Sequence, residues 1–374
     1  MTDLLVVGGG IVGLSAAVHA AQSGLSVIVV DAGVNAGTTS NAGSLHVQLQ
    51  SRFMRLYPEQ AHNVEASLPF YLEAVREWER LATELGPIDL VRKGGLMLAE
   101  SAEQLDFLAA KAQREAAAGL DVAILDRSEL NAVAPWLGPD IVGAELCRDE
   151  GKLNPLLANT HLRARAKEAG IGFVNDYVAR LRAGDTLTVE GRAGSYRARQ
   201  VLIAAAWGSG DLLGPFGLQL PTRAEPLHMN ITEPADIAVD YLLQHAERSI
   251  TLKQLKTGQI VIGGGWPARA RAGGGVPQVL AASLLGNVAL AAHLVPSLAP
   301  LRLLRSWAGM NTTVDGKTVL GRVPTEERII VAVPGDAGYT LGPLCGRLAA
   351  EIAAERAPRS AYRIEAFAPR RFLS

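Results

Sequence analysis

Cysteine is scarce in this chain, since only Cys147 and Cys345 occur among 374 residues. Two distant cysteines cannot form a disulfide framework, and alone they cannot hold a four-thiolate iron–sulfur cluster. This usage fits a reducing compartment, and we expect a cytoplasmic protein.

Excess charge of either sign is also lacking, because 36 Lys and Arg face 37 Asp and Glu, for a formal net charge of −1. No basic field attracts nucleic acid or an anionic membrane, so we expect a small-molecule partner and no nucleic acid. Hydrophobic residues make up 48% of the chain, which excludes a disordered protein. The length suggests two lobes. No repeat or Pro/Ser-rich linker separates them, so the lobes must interleave along the chain.

Charged side chains are absent from Leu4 to Val30, a stretch long enough to imitate a membrane span. Met1-Thr2-Asp3 supplies no cationic region for a signal peptide. The stretch is interrupted by three consecutive glycines and by polar side chains that include His19, Gln22, Ser23 and Ser26. It therefore predicts a buried βαβ unit and no transmembrane segment.

The glycines in this stretch carry a nucleotide-binding pattern. Gly8-x-Gly10-x-x-Gly13 follows a predicted strand and opens a predicted helix, and Asp31 ends the next predicted strand. The first glycine permits a tight turn, the second lets the backbone approach a pyrophosphate, and the third lets helix and strand pack closely. The helix N-terminus favours the phosphates, and Asp31 would accept hydrogen bonds from a ribose. The pattern predicts a bound adenine dinucleotide.

Further elements follow from periodicity and turn signals. A helix ending at Leu85, a second capped by Ser101 and Gln104, and a third near 280–294 are predicted. The middle of the chain favours strands, including 201–203 before Ala204-Ala205-Ala206-Trp207. A last buried strand at 329–333 precedes a glycine-rich turn, and we predict that a helix begins at about Pro343.

The glycine motif alone does not distinguish NAD from FAD. No second βαβαβ half follows, as it often does in dinucleotide dehydrogenases. The predicted C-terminal helix also offers a second N-terminus, suited to the negative charge of a reduced flavin. Both features favour FAD, and an NAD-dependent dehydrogenase stays an alternative that a colourless purified protein would support.

At this point the sequence resembles the flavin-dependent amine and amino-acid oxidoreductases, a family that includes D-amino acid oxidase, glycine oxidase and sarcosine oxidase. The resemblance covers nearly the whole chain. Within the family it is most similar to the FAD-carrying β subunits of bacterial opine (octopine or nopaline) dehydrogenases, to which β subunits of hydrogen cyanide synthase and hydroxyproline dehydrogenase are related. Besides the N-terminal motif, the resemblance rests on 40–46, 201–208, Trp307-Ala308-Gly309 with 310–313, Asp315-Gly316 and 338–343.

The resemblance implies an α/β fold with two interleaved domains. A Rossmann-like FAD-binding domain would comprise 1–86, 150–218 and 325–374. An α+β substrate domain, built on a mixed or antiparallel sheet, would comprise 87–149 and 219–324.

The resemblance also implies the cofactor site. The glycine motif would hold the pyrophosphate, Asp31 the ribose, Val178 and the 204–207 segment the adenosine, and 40–42 the ribitol and flavin. The 204–208 segment could instead be a strand end packed on a helix. The implied cofactor-binding residues are Gly8, Gly10, Ile11, Val12, Gly13, Asp31, Ala32, Ser40, Asn41, Ala42, Gly43, Ser44, Val178, Ala204, Ala205, Ala206, Trp207, Gly309, Gly338, Tyr339, Thr340 and Leu341.

Two features depart from the single-subunit oxidases of this family. Met310 and Asn311 stand where an arginine often pairs with the substrate carboxylate. Arg52 or Lys253 could supply the cation instead, or the substrate could be held by neutral hydrogen bonds. Cys345 is not placed to link to the flavin as in sarcosine oxidase, which implies noncovalent FAD.

We expect few general acid or base residues, since a flavin takes a hydride from the carbon beside a neutral amine and the imine hydrolyses in water. His46, His228 and Tyr339 are candidate catalytic residues, although a lone histidine after a glycine loop is more often structural. The seven histidines show no metal-ligand spacing, and no metal site is expected.

The leading hypothesis is an FAD-dependent dehydrogenase that oxidises the CH–NH bond of an opine to an amino acid and a 2-oxo acid. It would be the β subunit of a complex in which an α subunit and a small iron–sulfur subunit accept the electrons. The alternatives are a D-amino acid, hydroxyproline or glycine-type oxidase or dehydrogenase, and a flavin-binding scaffold subunit without turnover.

Overall fold

A computed structural model describes residues 1–34, 37–272 and 275–373, apart from the side chain of Arg52. The strands in chain order are β1 Thr2–Val7, β2 Val27–Asp31, β3 Ser44–Leu45, β4 Gly95–Ala99, β5 Val122–Asp126, β6 Gly143–Cys147, β7 Gly151–Lys152, β8 Gly172–Asn175, β9 Val178–Arg182, β10 Leu187–Gly191, β11 Ser195–Ile203, β12 Arg223–Pro234, β13 Leu242–His245, β14 Thr251–Gln254, β15 Gln259–Gly263, β16 Leu303–Thr313, β17 Val319–Val323 and β18 Glu326–Val333. The α-helices are α1 Ile11–Gln22, α2 Gly37–Ser40, α3 Ser51–Leu56, α4 Ala61–Leu85, α5 Ala102–Ala117, α6 Arg127–Val133, α7 Pro155–Glu168, α8 Ser209–Leu213, α9 Ala281–Leu294 and α10 Gly338–Ala353.

The first sheet carries the predicted βαβ unit. Its main order is β17-β18-β11-β1-β2-β8, and β11, β1, β2 and β8 run parallel with β18. Alternate residues of β1 enter two different cores, because Leu4 and Val6 pack on one face and Leu5 and Val7 on the other. Burial on both faces explains why the strand is a continuous apolar run.

The second sheet has the order β16-β12-β15-β14-β13-β4-β6-β5. Most of its neighbours are antiparallel, whereas β13 and β4 pair in parallel. A mostly parallel sheet joined to a mixed one confirms the predicted fold class.

The helix predicted to begin at about Pro343 instead begins five residues earlier, at Gly338. A proline inside a helix leaves the carbonyl four residues before it without its usual N–H donor. Here Trp78 Nε1 donates to the carbonyls of Tyr339 and Thr340, each at 3.1 Å. The indole replaces the missing donor, so the helix extends through the proline and the prediction of its start was wrong.

The domain division proposed from the sequence needs one adjustment. β17 lies before residue 325, but it pairs with β18 in the first sheet, with Val319 opposite Val333. We propose that the last FAD-domain segment begins at β17. In the described part of the chain, every helix is too short or too polar to cross a membrane.

Candidate functional site: a cavity between the two sheets

The turn between β1 and α1 requires its glycines. Gly8 has φ +107°, and a Cβ there would lie 2.3 Å from the Ala204 carbonyl oxygen. A Cβ on Gly13 would lie 1.9 Å from the Gly8 carbonyl oxygen, so side chains at either position would displace backbone. Ile11 N–H donates to Thr38 Oγ1 at 2.9 Å, which joins the helix start to α2.

Asp31 faces this turn from the end of β2. Its carboxylate accepts N–H bonds from Gly9 and, at 2.6 Å, from Gly33. The strand and the turn are therefore held in the relative position that the sequence motif predicts.

A cavity of about 730 Å³ opens beside this turn. The predicted site residues that line it are Gly8, Gly10, Ile11, Val12, Asp31, Ala32, Ser40, Asn41, Ala42, Ser44, His46, Val178, Ala204, Ala205, Ala206, Trp207, His228, Gly309, Gly338, Tyr339 and Thr340. Among the predicted residues whose side chains the structure describes, four are not in its wall: Gly13, Gly43, Leu341 and Lys253. Gly13 instead packs the helix on the strand, as the motif predicts for its third glycine.

One part of the wall joins the ends of β8 and β11. Ala206 has a positive φ of 53°, which is uncommon for a residue with a side chain. Thr222 Oγ1 donates to the carbonyl of Trp207 at 2.7 Å and fixes this segment. Asp176 and Arg163 also line this region, and no sequence motif marked them.

The segment from α2 to β3 forms another part of the wall. Trp307 Nε1 donates to the Ser40 carbonyl at 2.9 Å, and a Cβ on Gly309 would lie 2.5 Å from Ser40 Cβ. Within the described chain, the buried Ser40 and Ser44 hydroxyls have no hydrogen-bond partner. Both residues line the cavity, so their hydroxyls are available to a bound molecule.

His46 lies where this segment meets the first turn of α10. Its N–H donates to Thr340 Oγ1 at 3.1 Å, and its Nδ1 lies 3.8 Å from Glu150 Oε1. The buried Glu150 carboxylate accepts N–H bonds from four groups: Val47 N at 2.9 Å, Gln48 N at 3.3 Å, Gln48 Nε2 at 2.9 Å and Gln244 Nε2 at 2.8 Å. Glu150 therefore fixes the backbone that follows His46.

The hydroxyl of Tyr339 is engaged outside the cavity wall. It donates to Asn159 Oδ1 at 3.0 Å, while its ring stacks on Trp78 with centroids 5.2 Å apart. Burial raises the pKa of this hydroxyl. These contacts favour a structural role for the Tyr339 side chain over the catalytic one considered from the sequence.

His228 and Lys253 are both buried, although only His228 lines the cavity. Burial lowers the pKa of His228 and favours its neutral imidazole. Burial, assisted by Lys152, lowers the pKa of Lys253 well below its usual range. A Cβ on Gly43 would lie 2.9 Å from Lys253 Nζ, so this amine lies beside Gly43, and neither residue is part of the cavity wall. Lys253 is thus poorly placed for a substrate carboxylate, and the side chain of Arg52 lies outside the described residues.

Asn311 lines the cavity at the position where an arginine often pairs with the substrate carboxylate in the single-subunit oxidases that the sequence resembles. Its Nδ2 donates to Asp336 Oδ1 at 2.5 Å and to Glu225 Oε2 at 3.3 Å. The amide is bound by carboxylates, so this position offers no cation to a substrate.

A group at the end of β13 also lines the site, although no sequence pattern predicts it. Gln244, His245 and Arg248 line the cavity, and Glu150 contacts Gln244 from behind the wall. These residues match no short motif, and only the pairing of β13 with β4 and of β4 with β6 brings them to the site. Among the described residues, no cluster of three or more His, Cys, Asp or Glu could hold a metal ion.

Comparison with protein families gives a match over residues 3–352 to the family described as FAD dependent oxidoreductase. The chain belongs to this family. It is 26% identical to an opine oxidase subunit of Rhizobium meliloti, over 84% of this chain and 83% of that protein. It is 24% identical to glycine oxidase of Bacillus subtilis, over 94% and 92%.

Solved structures share the fold of this FAD-dependent oxidoreductase. A glycine oxidase from Geobacillus kaustophilus superposes with a TM-score of 0.83 at 23% identity, covering 98% of both chains. An iminodiacetate oxidase from Chelativorans sp. BNC1 superposes with a TM-score of 0.81 at 22% identity, covering 98% of this chain and 99% of that one.

The cavity residues fit FAD, the cofactor of this family. Gly8 and Gly13 leave no room for side chains in the turn, so its backbone faces the cavity, and the Ser40 and Ser44 hydroxyls lack partners in the described part of the protein. The start of α10 also meets the cavity, where its dipole favours negative charge. The protein is therefore an FAD-dependent oxidoreductase with a preformed place for its cofactor.

Proposed function

We propose that this chain is an FAD-dependent dehydrogenase that oxidises the CH–NH bond of an opine, giving an amino acid and a 2-oxo acid. The similarity to the Rhizobium meliloti opine oxidase subunit over 84% of the chain carries the proposal. The carboxylate-bound amide of Asn311 supports it, because this position offers no cation for a glycine-type substrate.

FAD, when bound, supplies the acceptor for two electrons from the substrate carbon. The chain's own residues place it. The β1–α1 turn would receive the pyrophosphate, the segment after β11 the adenosine, and the first turn of α10 the flavin. The FAD would be noncovalent, since Cys345 is buried in the core on α10.

His46 would act at the substrate end, where it can accept a proton from the amine or donate a hydrogen bond. Its backbone is tied to Thr340 on one side, and the next two residues are tied to Glu150 on the other. Such support holds a catalytic side chain in position. His228, neutral and buried, would shape the same wall.

The electrons would leave through partner subunits, an α subunit and a small iron–sulfur subunit. The opine oxidase relative is, by its name, one subunit of an assembly. The two buried cysteines of this chain, Cys147 and Cys345, cannot hold such a cluster by themselves.

A second candidate is a glycine-type oxidase, which the similarity to Bacillus subtilis glycine oxidase over 94% of the chain favours. The two candidates differ in substrate and in the fate of the electrons.

The test is anaerobic reduction of the FAD in protein purified with its native partners, using octopine, nopaline, glycine, hydroxyproline and D-alanine. We expect octopine or nopaline to bleach the flavin, and air to reoxidise the isolated chain slowly. Bleaching by a simple amino acid alone, or rapid reoxidation with stoichiometric peroxide, would overturn the proposal. Flavin that stays oxidised with every compound would indicate a scaffold without turnover.

A further inference from the structure

A second cavity of about 600 Å³ adjoins the first. The two share three wall residues, Arg248, Ser249 and Gly265. The remaining wall of the second cavity is mostly apolar and comprises Trp266, Pro267, Gly286, Ala289, Leu290 and His293. A molecule held at the shared residues could therefore extend from one cavity into the other.

Two contacts fix the side chain of Trp266 in the wall of the second cavity. Its indole Nε1 donates to the Ser249 carbonyl at 2.6 Å. A Cβ on Gly286 would lie 2.4 Å from the indole ring, so the ring fits against α9 only because residue 286 is glycine. The second cavity is thus built by specific packing.

Arg248 stands at the boundary between the cavities and is held along one edge. Its Nη2 pairs with Glu100, whose carboxylate also contacts His245 Nε2 at 3.0 Å and His293 Nε2 at 2.5 Å. Against the effect of burial, bonds from these two histidines and the charge of Arg248 lower the pKa of Glu100. The Glu100 carboxylate is therefore a charged anchor for the guanidinium.

His245 gives the anchor a defined orientation. Its Nδ1 accepts the N–H groups of Glu247 and Arg248, each at 2.9 Å, so its proton is on Nε2 and points to Glu100. Burial, followed by the charge of Arg248, lowers the pKa of His245 to about 4, so the ring is neutral near pH 7. In the described structure, Arg248 Nε and Nη1 keep no protein partner.

Few other cations are available in the main cavity. Of the described Lys and Arg residues, only Arg163 and Arg248 line it. Arg163 lies over the Phe173 ring, 5.1 Å from its centroid, next to β8 of the first sheet. Arg248 instead belongs to the group that contains Gln244, which contacts Glu150 beside His46. It therefore lies in the half of the cavity that we assign to the substrate.

We propose that Arg248 binds a carboxylate of the substrate, and that the second cavity receives the bulky arm of an N-substituted amino acid. The assignment of the reaction rests on the proposed function, whereas the carboxylate site rests on the geometry around Arg248. A guanidinium held on one edge can present its other N–H groups to a carboxylate in a fixed direction. A substrate of glycine's size would leave the second cavity unused.

The carboxylate site is tested with acetate and phenylacetate as probes, by titrating the absorbance of the FAD-loaded protein. We expect Arg248→Gln to raise both dissociation constants at least about tenfold, because a charge-assisted pair is lost. Arg248→Lys should recover part of this loss. Arg148→Gln, which changes an exposed arginine paired with Asp121, should leave both constants unchanged. Failure of the wild type to bind either probe, or equal binding by Arg248→Gln, would overturn the assignment.

The second cavity is tested by filling it from α9. Ala289 is exposed and lines the cavity, so Ala289→Phe adds a ring there without disturbing the core. We expect phenylacetate to bind about tenfold more weakly and acetate to change less than about twofold, since only the larger probe extends beyond Arg248. Leu285→Phe changes an exposed residue of the same helix outside the cavity wall and is the control. Equal effects of Ala289→Phe on both probes would rule out this cavity as the subsite.

These titrations separate the two proposals. If no opine reduces the flavin but Arg248→Gln no longer binds acetate and phenylacetate as the wild type does, the proposed function fails and the carboxylate site stands. The opposite result is that octopine reduces the flavin, while Arg248→Gln changes neither the dissociation constants of the two probes nor the octopine concentration needed for half-maximal reduction. In that case the carboxylate site fails and the proposed function stands.

Discussion

At the β1–α1 turn the cavity wall is backbone, whereas around His46 it is made of side chains from separate segments. Gly8 and Gly13 bring main-chain atoms so close that a single Cβ would collide. Near His46, by contrast, the Glu150 carboxylate accepts hydrogen bonds from the side chains of Gln48 and Gln244, which come from distant parts of the chain. The nucleotide end thus depends on the absence of side chains, and the substrate end on their identity. Substitutions should therefore have different consequences at the two ends.

The largest effect is expected from Gly13→Ala at the nucleotide end. A Cβ there would lie 1.9 Å from the Gly8 carbonyl oxygen, so the turn must shift. We expect the purified variant to contain no FAD, as measured by its visible absorbance. Gly214→Ala is the matched control, because nothing lies within 4 Å of its Cβ and φ is −51°. Circular dichroism checks that the variant is folded, and a folded Gly13→Ala protein with full FAD would refute the role of this close contact.

A smaller effect is expected from His46→Gln at the substrate end. FAD should remain bound, while the limiting rate of anaerobic flavin reduction falls by about a hundredfold, the usual scale for loss of a proton-transfer group. His62→Gln, an exposed histidine on α4, is the control. If both variants reduce at the wild-type rate, His46 is a structural residue of the loop.

Next in size is Trp78→Phe, which tests how α10 passes through its proline. The variant keeps an aromatic ring at this position but removes the N–H that donates to the Tyr339 and Thr340 carbonyls. Because the buried Tyr339 carbonyl then lacks a donor and the smaller ring fills less of a fully buried site, we expect the free energy of unfolding to fall by about 2 kcal/mol in urea titrations. Trp136→Phe, at a partly buried tryptophan elsewhere, should cost less. Equal losses would mean that the indole bonds do not sustain the helix start.

The same contrast explains what the sequence could predict. The glycine motif, its helix and Asp31 fall within about thirty residues, so local pattern was sufficient for the βαβ unit and for the dinucleotide. The start of α10 was mispredicted because the donor that replaces the proline N–H comes from Trp78, 261 residues away from Tyr339. Local rules contain no information about such a partner.

The substrate end was harder for the same physical reason. Lys253 is a candidate in the sequence because of its charge, yet β14 places its amine beside Gly43 and outside the cavity wall. No sequence motif includes Arg248. It becomes a candidate because β13 pairs with β4, which brings the end of β13 beside Glu100, the residue directly after β4. Burial and partner geometry, which decide whether a charge can meet a ligand, are properties of the fold.

The last prediction concerns the pH dependence of stability, and it involves a buried charge cluster behind the end of the site that is built from side chains. Lys111 Nζ lies 2.8 Å from carboxylate oxygens of both Glu115 and Glu145. Burial, together with the contact to Glu115, raises the pKa of Glu145 to about 9. Between the unfolded value of about 4.3 and this value, the folded protein holds a proton that the unfolded chain releases. The free energy of unfolding should therefore fall as pH rises through this range.

Glu145→Gln removes the titration, so the stability of the wild type relative to the variant should decline from pH 6 to pH 8.5, by less than about 1.4 kcal/mol per pH unit. Urea unfolding of the FAD-bound proteins measures this difference. Lys152, whose pKa burial lowers to about 8, acts in the opposite direction but is present in both proteins and cancels. Glu168→Gln, at an exposed glutamate, should show no such trend. A pH-independent difference would mean that Glu145 is ionised in the folded protein.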